Sequence, residues 1–70
     1  MTPAQQRFLV HVRDWWDGQL EGRIEAELET GLYAAAYDKV RAAVTRRGWL
    51  TQDGTLTARG REAIARPKFG

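Results

Sequence analysis

Six cations, Lys39, Arg41, Arg46, Arg47, Arg59 and Arg61, fall within a short stretch of this 70-residue chain. Guanidinium and ammonium groups at that density suit phosphate oxygens, which they neutralise through charge-assisted hydrogen bonds. Thr45 and Gln52 stand among them as neutral polar groups. Helix-end dipoles and i+4 partners account for several of these cations equally well. A second set is acidic. Glu21, Glu25 and Glu29 recur every four residues, a ridge that reads first as a solvated face and second as a surface attracting a basic protein. Catalysis finds no comparable set: the chain has no Ser, Asn or Cys and one His, so a nucleophile with its base is missing. A non-enzyme without cofactor or metal site is expected. His11, alone and without a second ligand in view, reads as a residue at the edge of the core.

The elements that must position these groups follow from period and punctuation. Thr2-Pro3-Ala4-Gln5 is a capping-box start with proline at the first helical position, so a helix begins at Pro3. Within it Phe8, Leu9, Val12, Trp15 and Trp16 gather on one arc, and Gly18 ends it. Leu20, Ile24 and Leu28 recur at i, i+4 and i+8, which predicts a helix over 19–29 with that stripe in the core. Thr30-Gly31 breaks the chain before a third helix over 32–47. Its inner arc holds Leu32, Tyr33, Ala36, Tyr37, Val40, Ala43 and Val44; Ala34, Asp38, Arg41, Ala42 and Thr45 lie opposite. Arg46 and Arg47 suit the carbonyl end of that helix, and Gly48 stops it. Trp49-Leu50-Thr51 and Thr55-Leu56-Thr57 flank Gln52-Asp53-Gly54, a β-hairpin signal; a three-residue loop with Gly54 left-handed pairs Leu50 with Leu56 on one face. Thr57 caps a last helix over 58–65, with Ile64 reaching the core and Pro67 barring continuation. The expected fold is mainly α with a small β-hairpin, one domain over 1–66 and a tail over 67–70.

Charge is uneven along the chain. The net value is +2, but residues 1–38 hold three Arg against seven carboxylates, and residues 39–70 hold eight Lys or Arg against two. A polar molecule with a basic C-terminal half results. No apolar run is long enough for a membrane span or a signal-peptide core, and the absence of Cys suits a reducing compartment. Cytoplasm is the default expectation, with no membrane partner.

The string Gly48-Trp49-Leu50-Thr51-Gln52-Asp53-Gly54-Thr55-Leu56-Thr57-Ala58-Arg59-Gly60-Arg61, continued to Ile64, resembles the wing segment of bacterial winged helix-turn-helix regulators of the MarR and PadR kind. Leu56-Thr57-Ala58-Arg59-Gly60-Arg61 stands where those proteins carry Leu-Thr-x-x-Gly-Arg. The resemblance covers 19–65 and implies a helix-turn-helix pair over 19–29 and 32–47, with double-stranded DNA held by the third helix and the wing and a role in transcription regulation. Of the third helix's outward side chains only Arg41 is a type that reads guanine, so weak or shape-based sequence preference is expected. The alternative expectation is an adapter or inhibitor, of the kind carried by phages and plasmids, that binds a protein through Glu21, Glu25, Glu29, Ala34 and Asp38. The Trp15-Trp16 pair leaves room for a homodimer seam.

Overall fold

The threonine and glutamine of the opening tetrapeptide cap each other. Thr2 Oγ1 accepts from the Gln5 N–H at 3.1 Å, and Gln5 Oε1 accepts from the Thr2 N–H at 3.0 Å. In the computed structural model, which describes residues 1–65, helix α1 accordingly runs Pro3–Trp15. Its inner face buries Phe8, Leu9 and Val12, and Trp16 packs partly buried against the same cluster. Asp17 and Gly18, both left-handed, then reverse the chain.

Helix α2 spans Arg23–Thr30 and α3 spans Ala34–Arg46, each shorter at its start than the sequence period suggested. The reason at α2 is that Leu20 lies outside the helix, in an extended segment where its N–H bonds to Gly54 O at 2.9 Å. The i, i+4, i+8 stripe therefore never forms one helical face. Ala26 and Thr30 are the buried residues of α2, while Ile24 is 74% and Leu28 64% exposed, so the expected core stripe points outward. At α3, Leu32 is buried in the connecting segment and Tyr37 and Val44 form the inner face, but Tyr33 and Ala36 are exposed rather than core.

α1 packs against each of the other three helices. Phe8 stacks on Tyr37 at 5.5 Å between ring centroids, joining α1 to α3 at the centre of a core completed by Leu20, Leu32, Leu50, Leu56 and Ile64.

The segment between α3 and α4 (Ala58–Ala65) corrects the expected winged helix-turn-helix. Leu50 faces Leu56 and Gly54 is left-handed, yet this pairing is an isolated bridge, as is Gln19 with Thr55. Among the described residues there are four helices, no strand and no sheet, so the wing is absent. Two local causes limit the ladder. The turn closes on its own side chains, with Thr51 Oγ1 donating to the Asp53 carboxylate and accepting from the Thr55 N–H at 2.9 Å, bonds that compete with strand pairing. Each arm is also cut short: Gly48 turns the chain just before it, and Thr57 is drawn into the cap of α4, accepting from the Gly60 N–H at 2.9 Å and donating to Gly48 O at 2.7 Å. Thr55 O still accepts from the Thr51 N–H at 2.8 Å and the Gly54 N–H bonds to Thr51 O at 3.1 Å, while Gly54 O and the Leu56 N–H turn to Leu20 and Gly18 at 2.9 and 2.7 Å. Pro67 and the 67–70 tail, with the 1–66 domain limit, lie outside the described residues.

Candidate nucleic-acid interface

The end of α3 is built as a turn that presents cations. The Arg47 N–H bonds to Ala43 O at 3.1 Å, the Gly48 N–H to Thr45 O at 3.0 Å and the Trp49 N–H to Val44 O at 3.0 Å, which satisfies the last carbonyls of the helix. Gly48, at φ +77°, takes the left-handed step this closure requires. The turn places the Arg47 guanidinium over the Trp49 ring, 5.5 Å from its centroid. Arg59, in the first turn of α4, lies beside Gly48 and Trp49, so residues twelve apart in sequence meet at one corner. Arg46 is exposed next to them, and Lys39 is exposed two turns earlier on the same side of α3.

Among the described residues the ion pairs are Arg13–Asp14, Arg23–Glu27 and Arg23–Asp38. None of the six cations singled out in the sequence is committed to a carboxylate there. Arg46, Arg47 and Arg59 are exposed around the C-terminal end of α3, and Lys39 is exposed near the helix's middle.

The other four expected contact residues take different places. Arg41 is half-buried and donates to Tyr37 Oη at 3.3 Å and to Gln52 O at 3.4 Å, so it ties the loop to α3. Thr45 is half-buried and its hydroxyl donates back to Arg41 O at 2.8 Å. Gln52 remains exposed at the loop tip, beside Asp53. Hydrogen bonds from the Thr51 and Thr55 hydroxyls hold the Asp53 carboxyl below its ordinary range, keeping a negative charge at the tip. Arg61 leaves α4 on the side away from Arg59 and lies over Gly18.

The acidic set divides as well. Glu25 and Glu29 are exposed along α2, while Glu21 is exposed in the segment before it and so leaves the expected helical ridge; Glu25 accepts from Trp15 Nε1 at 2.6 Å. Ala34 and Asp38 instead belong to a clasp between α2 and α3. Arg23 Nη1 donates to Asp38 at 2.7 Å, Arg23 stacks on Tyr37 at 4.7 Å, and the Ala34 N–H donates to Glu27 Oε2 at 2.7 Å. The hydrogen bond to Asp38, reinforced by its charge, raises the Arg23 pKa above its ordinary value.

His11 is half-buried, and its Nε2 accepts from Trp16 Nε1 at 2.7 Å, which requires the neutral ring. Burial lowers its pKa from the ordinary value, and the charges of Glu29 and Glu25 pull partly the other way. No group of three potential metal-ligating side chains occurs among the described residues. No helix among them is long and apolar enough to cross a membrane.

Two features escaped the sequence reading. Residue type places Trp49 in a strand; the signal for its role beneath Arg47 is the glycine between them, which folds the two side chains together. The outward Ile24–Leu28 pair carried no signal, because its spacing is that of a core stripe. No protein-family model, curated protein or solved structure matches the chain.

Proposed function

We propose that this protein is a small helical DNA-binding domain, acting in the cytoplasm as a non-enzymatic regulator, that grips duplex phosphates with little regard to sequence. The observation that carries the reading is the end of α3, where Arg47 lies over Trp49 with Arg59 beside Gly48, Arg46 precedes Arg47 and Lys39 lies two turns back, all four exposed and none in an ion pair among the described residues. Neutralised phosphates release condensed counterions, and this term is independent of sequence. The adjoining exposed face of α3 offers Ala35, Ala36 and Ala42, which have no hydrogen-bonding groups for base edges.

The test is a salt titration of binding to generic duplex DNA by fluorescence anisotropy. Four phosphate contacts give a slope of log K against log salt of about −3.6, so affinity falls roughly 4,000-fold between about 20 and about 200 mM salt. Replacing Arg46 and Arg47 with Gln flattens the slope by about two and weakens every sequence alike. An unchanged slope removes both residues from the interface, and no binding at the lowest salt refutes the proposal.

A further inference from the structure

α2 presents an apolar pair that nothing in the described fold covers. Ile24 and Leu28, one turn apart, are 74% and 64% exposed, and Glu25 and Glu29 run alongside them on the helix, with Glu21 exposed just before it. Arg23, on the opposite edge, is held by Asp38 and Glu27. The face is thus an apolar stripe with a negative border.

Its complement exists on the same chain. Between α1 and α3 lies a shallow groove floored by Val40 and Ala43, with Lys39 and Arg46 at its ends. On an α-helix Lys39 and Arg46 are separated by about 10.5 Å along the axis, and Glu25 and Glu29, one turn apart on α2, by about 6 Å. The spacings differ, but the glutamates of one molecule and the cations of the next are opposite in sign and their long side chains span the difference. The small Ala42 and Ala43 let a second helix approach closely, and Ile24 and Leu28 are the right residues to fill the floor. A two-fold antiparallel pairing of α2 with its own copy is disfavoured, because it sets one glutamate ridge against the other.

We infer that the occupant of the α2 face is a second copy of this chain, docked head to tail, with Ile24 and Leu28 of one molecule in the Lys39–Arg46 groove of the next. Such a contact is heterologous: each molecule keeps one free face of each kind, so assembly extends with concentration instead of stopping at a closed pair. It also covers two of the four cations assigned to phosphate, so duplex DNA and a neighbouring copy compete for Lys39 and Arg46.

The experiment is sedimentation velocity on the intact protein without nucleic acid, at low and high salt, which keeps its outcome separate from that of the DNA-binding proposal. Average mass rises with concentration at low salt. Ile24→Ser/Leu28→Ser and Lys39→Glu/Arg46→Glu each abolish the rise, with circular dichroism unchanged because all four positions are surface sites. Mixed in equal amounts, the two variants form a one-to-one pair and nothing larger, since each retains the face the other lacks. A wild-type protein that stays monomeric, an assembly that survives either double substitution, or a mixture that fails to pair overturns the inference. Competition is read by adding duplex DNA, which dissociates the wild-type assembly; assemblies that persist on saturating DNA refute the shared use of the two cations.

Discussion

Replacing Gly60 with alanine tests how closely α4 approaches the segment beneath it. In an exposed helix interior this change stabilises by about 1 kcal/mol, because alanine restricts the unfolded chain and glycine does not. Gly60 is buried, and a Cβ there lies 2.2 Å from Trp49 O and 2.8 Å from a Leu56 methyl. The carbonyl is not free to retreat: it accepts the Thr57 N–H at 3.1 Å, one of the bonds holding the turn to the base of α4. Leu56 is 4% exposed and has no space behind it but core. Relief of the overlap costs about 1–3 kcal/mol as overpacking, and straining the Thr57 bond about 1 kcal/mol more. Set against the propensity gain, the net effect is a loss of roughly 1–3 kcal/mol, or about 4–8 °C in Tm for each kcal/mol in a domain of this size. Urea denaturation followed by tryptophan fluorescence, with a thermal melt by circular dichroism, measures it. A variant as stable as wild type, or more so, refutes the close packing of α4 on Trp49 and with it the stated reason for glycine in the Leu-Thr-x-x-Gly-Arg string.

Ala34 is the mirror case. It opens α3 at φ +51°, where a Cβ is strained, so Ala34→Gly gains roughly 0.5–1 kcal/mol where a helical alanine would lose about 1; destabilisation in urea melts counts against the left-handed start. His11 makes stability depend on pH. Its folded pKa is depressed by burial, so its contribution is fully present above the unfolded value of about 6.5 and is lost as pH falls through the folded value. Urea midpoints taken from about pH 8 down to about pH 5 decline across that window in wild type, with loss of the Trp16–His11 bond, and His11→Gln removes the decline. An equal decline in the variant assigns the dependence elsewhere.

What was legible in the sequence was local. The capping box at Thr2, the glycine stop at Gly48, the Thr57 cap and the facing of Leu50 and Leu56 all involve residues close in the chain, and all can be read from residue type and spacing. The failures share a different cause. α2 turned out rotated because Leu20 found its backbone partner at Gly54, far along the chain, and left the helix to Ala26 and Thr30. The hairpin never became a sheet because side chains at Thr51, Asp53 and Thr55 closed the turn themselves. At the candidate interface, the exposed cations at the end of α3 were legible as charge. The assignment of Arg41 to the loop was not, since it depends on where Gln52 O lies in space.

The position of α1 as the shared partner of the other three helices has a consequence for how the chain acquires its structure. Each of its contacts closes a loop, and the one with α4 spans most of the chain, so the entropy of the longest closure is met before the core is complete. Until then Phe8, Leu9 and Val12 have nothing stable to pack against, and α2, α3 and α4 have no common surface. No pair of helices forms a self-sufficient part. Folding is therefore all-or-none, with backbone protection against hydrogen exchange rising and falling together across the four helices, and loss of α1 undoes the arrangement of the cationic corner without touching any of its residues.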